Sequence, residues 1–258
     1  MSLFVVGYTC VPGSKAAELM PDFQAPSNYG EEAAQRFIQR KQDEWSATCA
    51  YRPLCGRISE IVILTDTRNK FTNELNMYYA FQQDTAKEDD TAVFVEALEF
   101  LNTAYDSDFD AKLIGFGARD FAKMTAAAYA KRGCQTNTIN RALHDIMYDR
   151  ESILESDRMV FNSEADIDLN SAMADLGLSV DAHYRPRTNA ITDVSYSIEL
   201  AWRYGHVTSL SGDEMMDALN QVVSRQKSAK ARAKDQAACL GVGRIAHLES
   251  TKTETVTA

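Results

Sequence analysis

Carboxylates are the side chains of this 258-residue sequence whose number and spacing could support chemistry. The chain has 37 Asp and Glu residues against 27 Lys and Arg. The acids are densest between residues 145 and 168, where only Arg150 and Arg158 oppose them. Carboxylate oxygens are ligands for divalent cations. A run of like charges is nevertheless more typical of a solvated face, and we interpret this run in that way.

Histidines and cysteines do not form a recognisable metal or nucleophile motif. None of the four histidines belongs to an H-E-x-x-H pattern, and the five scattered cysteines contain no C-x-x-C pair. This usage predicts free thiols in a reducing compartment and no zinc site. The stretch "GFGARD" (115–120) joins a predicted strand to a predicted helix. It lacks the third glycine and the downstream acid of a dinucleotide site.

Charge and hydropathy exclude two broad classes of protein. The formal net charge of -10 argues against general attraction to nucleic acid, although a local basic groove stays open. No apolar run approaches the roughly 20 residues that span a bilayer, and the N-terminus does not read as a secretory signal. We therefore expect a cytoplasmic protein without membrane partners, in the host cytoplasm if it is viral.

The hydrophobic patterns predict one α/β domain over residues 1–210 and a C-terminal helix with a polar tail over 211–258. The domain should contain a mixed sheet flanked by helices on both faces. The predicted strands are 3–7, followed by a turn at Pro12, then 57–65, 73–81 and 112–116. The predicted helices are 31–47, 91–104, 119–132 and 191–206, and the region between the last two is expected to be helical and broken.

Several segments also form an ordered pattern. "VVGYTCVP" resembles F-D-I-E-T-x-P, and "GFGARDFA" resembles G-x-N-x-x-x-F-D at a helix start. "DLNSAMADLGLS" resembles L-D-x-x-A-x-x-L-G-L-P, and "VSYSIELAWRY" resembles a Y-x-x-x-D helix. Together, over residues 3–208, the chain resembles the DEDD (DnaQ-like) 3'-5' exonucleases of the ribonuclease H-like fold. The most similar subgroup is the one related to the proofreading domain of family B DNA polymerases, which is often phage-encoded.

The resemblance implies that the catalytic acids are missing. The family hydrolyses phosphodiesters with two metal ions held by four carboxylates. Those positions fall on Gly7, Thr9, Ala122 and Leu200, while the family tyrosine is retained as Tyr196. The resemblance therefore predicts a pseudoenzyme without a cofactor, which acts as a binding, inhibitory or structural module.

The alternative is an active nuclease with rearranged ligands for Mg²⁺ or Mn²⁺. Its ligands would come from Asp120, Asp193 and Glu199, which lie near the family motifs but out of frame, and from Asp145. Asp145 matches a family Asp outside the metal quartet and could not hold two ions alone. A shift of one position turns a helical side chain by about 100° and moves a strand side chain to the other face.

The expected partner is a protein with a basic surface, such as the nucleic-acid site of a host or viral protein. A homo-oligomer through residues 213–239 is the further expectation. Met216, Leu219, Val222 and Val223 form an apolar stripe there, and basic residues follow it. The alternative left open is that this stripe packs on its own domain.

Overall fold

A computed structural model describes residues 2–82, 91–104, 111–133, 152–156, 173–174, 177, 180, 184–208, 212–224 and 227. The strands are β1 (Ser2–Pro12), β2 (Gly56–Arg68), β3 (Leu75–Phe81), β4 (Ala111–Gly115) and β5 (Ile153–Glu155). The helices are α1 (Glu31–Thr48), α2 (Ala92–Ala104), α3 (Ala118–Lys131), α4 (Ala190–Arg203) and α5 (212–224). A 3-10 turn (Cys49–Tyr51) follows α1.

The strands form a single mixed sheet in the order β3-β2-β1-β4-β5. β2 runs antiparallel to both β1 and β3, whereas β1, β4 and β5 are parallel. The prediction that segments 3–7, 57–65, 73–81 and 112–116 share one sheet is confirmed, as are the four predicted helices within a few residues of their bounds.

The end of β1 corrects the prediction of a turn at Pro12. The strand continues to Pro12, which pairs with Gly56, and its register shifts between Thr9 and Cys10. This irregularity adds local twist without ending the pairing. Pro12 lies at the last position of the ladder, where a missing N–H interrupts no later pair.

β5 was missed because the region around it was expected to be helical. Its three residues pair in parallel with β4. A run this short shows no measurable period in the sequence. Within this region, residues 139–149 and most of residues 169–177, where helix was predicted, lie outside the described residues.

The alternating side chains of β1 separate two apolar cores. Phe4, Val6 and Tyr8 pack on the side of α2 and α3. Leu3 and Val5 pack on the opposite side, with α4 and α5. This is the period of two that a strand buried on both faces requires. Helices therefore cover both faces of the sheet, as predicted.

α5 belongs to the second core. Its side chains Met215, Ala218, Leu219 and Val222 are buried there. Glu214 at its start forms an ion pair with Arg68 of β2 at 2.5 Å. The described part of the C-terminal helix therefore packs on its own domain, and residues beyond 227 lie outside the described part of the chain.

α1 is the least buried helix of the predicted set. Four apolar residues recur at roughly helical spacing in it: Ala34, Phe37, Ile38 and Trp45. Trp45 is buried, while the other three are half-exposed. Within the described ranges, no helix has the length and apolar character that crossing a membrane requires.

Candidate functional site at the carboxyl end of the first strand

Gly7 lies where β1 and the start of α4 are in direct contact. A Cβ atom added to Gly7 would lie 2.0 Å from the carbonyl oxygen of Ala190 and 2.8 Å from Cγ2 of Val194. Glycine permits this close approach because it has no Cβ. The position that the resemblance assigns to the family's first carboxylate therefore has no space for a side chain in this structure.

Thr9 lies two residues further along β1 and is fixed to the neighbouring strand. Its Oγ1 lies 2.8 Å from Oγ of Ser59, and the Ser59 hydroxyl also lies within donating distance of the Thr9 carbonyl oxygen at 3.1 Å. If Ser59 donates to that carbonyl, Thr9 donates to Ser59. The hydroxyl of Thr9 is thus used within the sheet.

The start of α3 lies on the other side of β1. Gly117 has a left-handed φ of 70° and precedes the helix without a side-chain cap. The Tyr8 hydroxyl donates to the Gly117 carbonyl oxygen at 2.9 Å. Ala122, one turn further on, is buried in the first core. Neither Gly117 nor Ala122, the family positions for an Asn and an Asp, offers a polar side chain.

α4 places the last family position away from Gly7. Leu200 is fully buried in the second core, six residues after Val194. At a rise of 1.5 Å per residue this separates them by about 9 Å along the helix axis. Tyr196 is half-buried and packs edge-on against Tyr184, with ring centroids 4.8 Å apart. The structure does not bring Leu200 to the end of β1.

Asp193 in the first turn of α4 is one of two out-of-frame acids that do reach the site. It is fully buried and accepts hydrogen bonds from the Tyr184 hydroxyl and from the Arg187 backbone N–H, the latter at 3.0 Å. Burial raises the pKa of Asp193 to about 6, although both hydrogen bonds act in the opposite direction.

Asp120 in the first turn of α3 is the second. The Arg187 side chain donates from Nη1 to its Oδ2 at 2.9 Å. The same guanidinium lies 4.8 Å from the centroid of the Tyr51 ring, and the Tyr51 hydroxyl donates to the Arg187 carbonyl oxygen at 2.9 Å. Arg187 therefore connects α3, the 3-10 turn and the segment that leads into α4.

Arg187 holds this position with a left-handed backbone, at a φ of 67°. Such a conformation costs a non-glycine residue about 1–2 kcal/mol. The interactions with Asp120, Tyr51 and Asp193 offset that cost. A strained backbone conformation persists only where the surrounding contacts hold it in place.

The two remaining acid candidates do not join this cluster. Glu199 forms an ion pair with Arg203 at 3.0 Å on the outer face of α4. Asp145 lies outside the described residues. Within the described ranges, no group of three or more His, Cys, Asp and Glu side chains is arranged to hold a metal ion.

The residues present do not fit a two-metal centre. Position 7 has no side chain, Thr9 is bound to Ser59, and the oxygens of Asp193 already accept two hydrogen bonds. Asp120 is paired with a permanent cation, the Arg187 guanidinium. Two hard cations close together require several free anionic oxygens, which this set does not offer.

Burial determines the protonation of two uncharged groups beside the site, the Cys10 thiol and the Tyr8 hydroxyl. Burial raises the pKa of the Cys10 thiol and of the Tyr8 hydroxyl well above their ordinary values. Both groups therefore stay protonated at neutral pH. A protonated thiol is a poor nucleophile, because the thiolate is the reactive form.

Sequence reasoning missed Arg187, Tyr184 and Tyr51, which organise the site. A signal was present in "YRPRTN" (184–189), which places two arginines directly before a helix with an acid in its first turn.

A comparison with models of known protein families gave no match, and a search of curated proteins also gave none.

Proposed function

We propose that this chain is a catalytically inactive, exonuclease-like protein of the ribonuclease H-like fold. Its role is that of a binding, inhibitory or structural module. The strand order β3-β2-β1-β4-β5, with β2 as the antiparallel strand, supports that fold. The starts of α3 and α4 on either side of the end of β1 support it further, because they flank the place where the family binds its metals.

The contact of Gly7 with α4 is the observation that carries the proposal. A carboxylate at position 7 would have to displace the backbone of Ala190, which lies 2.0 Å from the added Cβ. Substituting one acid back into the sequence therefore does not rebuild the site. The absence of an acid at position 7 therefore agrees with the absence of space for its side chain.

Arg187 supports the same conclusion electrostatically. Its guanidinium is always charged at neutral pH and is bound to Asp120. A cation belonging to the chain thus neutralises an acid that would otherwise be a candidate metal ligand. No metal is needed to balance the charge of Asp120.

The proposed partner is a protein with a basic surface, and nucleic acid is disfavoured by the net charge of -10. Self-association through residues 213–239 stays a proposal. Because Met215, Ala218, Leu219 and Val222 of α5 are buried within the domain, such an interface would have to use the exposed side of α5 or the residues after 227.

A metal-dependent 3'-5' exonuclease with rearranged ligands is the second candidate. The observation in its favour is that Asp120 and Asp193 both contact Arg187, Asp120 through the guanidinium and Asp193 through the backbone N–H. This function requires Arg187 to leave Asp120 before a cation binds. It also requires further ligands, for which Asp145 is the sequence candidate.

Nuclease and metal-binding assays decide between the two candidates. We expect purified protein with Mg²⁺ or Mn²⁺ to leave 5'-labelled single-stranded DNA and RNA intact, and to show no stoichiometric Mn²⁺ binding by electron paramagnetic resonance. Shortening from the 3' end that EDTA abolishes, and that is lost in Asp193→Asn or Asp145→Ala but kept in Glu199→Gln, would establish the second candidate instead.

A further inference from the structure

The two edges of the sheet differ in how they are protected. β5 is only three residues long, and its Glu155 pairs with Arg119 at 3.4 Å. β3 has seven residues, LNMYYAF, with neither a charge nor a proline. Among the described residues β3 is paired with β2 alone. Short strands and charges are the usual protection against further strand pairing, and β3 has neither.

The pattern of hydrogen bonds between β3 and β2 identifies which backbone groups of β3 face outward. The N–H of Gln82 donates to the carbonyl oxygen of Ser59 at 2.9 Å, next to the pair of Glu60 and Phe81. Hydrogen-bonded pairs alternate along an antiparallel ladder. Ala80 and Tyr78 therefore bond to β2, whereas the N–H and C=O groups of Met77 and Tyr79 point to the outer edge.

Acidic side chains flank this edge on the α2 side of the sheet. The Tyr78 hydroxyl donates to the exposed Glu96 carboxylate at 3.1 Å. Glu99, also exposed, lies close enough that both carboxylates help burial to raise the pKa of Tyr78. A strand added beside β3 would project every second side chain towards this acidic pair.

The same charges argue against a second copy of the chain. A two-fold axis at Tyr78 would place Glu96 beside Glu96 of the second copy, and like charges in direct opposition are destabilising. The net charge of -10 on each copy adds to this repulsion. The charge pattern fits a strand with basic residues instead.

We infer that the outer edge of β3 binds an extended segment of a partner protein as a sixth strand. Lysine or arginine at alternate positions of that segment faces Glu96 and Glu99. The backbone groups of Met77 and Tyr79 supply the hydrogen bonds, and the acidic pair selects the side chains. This inference rests on the proposed function, because it assigns a surface and a peptide chemistry to the binding module.

Synthetic peptides test the inference directly. We expect a fluorescent peptide of four Lys-Val repeats to bind the full chain, as measured by anisotropy. The block isomer Lys4Val4 has the same charge, but as a strand it places only two of its four lysines on each face, whereas the alternating peptide places all four on one face. It should bind about tenfold more weakly because cross-strand pairs are lost. A peptide of Glu-Val repeats should not bind.

Three variants locate the peptide. Met77→Pro removes an outward N–H without removing a bond to β2, and should weaken binding about tenfold. Glu96→Gln should weaken it about two- to fivefold. Glu32→Gln changes the net charge equally at an exposed residue of α1 and should have no effect. Thermal unfolding checks each fold, and the Glu96 and Glu32 variants decide the test if Met77→Pro does not fold.

Three outcomes would overturn the inference: no binding of the alternating peptide, equal binding of the two isomers, or equal effects of Glu96→Gln and Glu32→Gln. These measurements involve neither nuclease activity nor metal. A failed peptide test therefore leaves the proposal of an inactive site standing, and nuclease activity in the protein leaves the peptide result unchanged.

Discussion

Two contacts near the carboxyl end of β1 hold neighbouring segments in place by different physical means. In the glycine contact, Gly7 lies against Ala190 and Val194, with backbone against backbone. In the arginine contact, the Arg187 side chain joins Asp120 to Tyr51. The first leaves no space for a side chain. The second fills space with groups that are each partly exposed.

The glycine contact is steric, whereas the arginine contact is mainly electrostatic. An added atom 2 Å from a backbone oxygen cannot be accommodated without moving that backbone, so any substitution in the glycine contact is expected to be costly. The arginine contact consists of an ion pair and a ring contact near solvent, which contribute modestly. Removing Arg187 would thus uncover Asp120 without making space at position 7.

The largest effect is expected from a substitution in the glycine contact. Gly7→Ala should lower the free energy of unfolding by about 4 kcal/mol, because the backbone of α4 must move to admit the methyl group. Urea denaturation measures this change. Gly30→Ala is the matched control, since a Cβ at Gly30 has no atom within 4 Å and its φ is -69°.

If Gly7→Ala proves as stable as the unchanged protein and Gly30→Ala, then β1 and α4 are not in close contact. Position 7 would then have space for a carboxylate. That result would remove the steric half of the comparison and the main support for an inactive site.

A second effect comes from Asp193, which lies between the two contacts. Its pKa of about 6 in the folded protein exceeds the value of about 3.9 expected in the unfolded chain. The folded protein therefore binds the extra proton between these values. The stabilisation from this proton is complete below about pH 4 and is lost as pH rises through 6, by about 3 kcal/mol in total.

The unfolding free energies of the unchanged protein and Asp193→Asn, compared from pH 4 to pH 7, measure this contribution. The unchanged protein should lose stability relative to the variant as the pH rises, because the amide does not titrate. A flat difference between the protein and Asp193→Asn would mean that Asp193 is not buried as a carboxyl group.

The elements of the fold could be predicted because their signals are local. An apolar run identified β1, β-branched residues identified β2, and the spacing of the apolar residues identified α1 and α2. β5 carried no such signal in its three residues. The turn at Pro12 was expected from a local rule about proline, whereas pairing with Gly56 keeps the residue within the strand.

The site could be predicted only in part because its contacts are distant in sequence. Alignment to family motifs identified Gly7, whose contact with Ala190 spans most of the chain. The motif placed the last helix position at Leu200, but helix rise puts that residue away from Gly7 and leaves Asp193 near the site. Arg187 joins residues 51, 120 and 193, a relation that no local pattern encodes.

The smallest effect is expected in the arginine contact, where two substitutions of one residue separate its two components. Arg187→Ala should lower the free energy of unfolding by about 1–2 kcal/mol, since it loses the ion pair with Asp120 and the contact with Tyr51 but keeps the left-handed backbone. Arg187→Gly loses the same contacts and relieves the backbone, so it should be about 1 kcal/mol more stable than Arg187→Ala. Urea denaturation of both variants measures this difference. The control pair, Arg36→Ala and Arg36→Gly in α1, should show the opposite order of stability, because glycine weakens a helix.

Neither Arg187 variant should gain Mn²⁺ binding, because Gly7 still excludes a ligand. If Arg187→Ala binds Mn²⁺ stoichiometrically, then Arg187 alone keeps the cation out, and the glycine contact is not a second barrier.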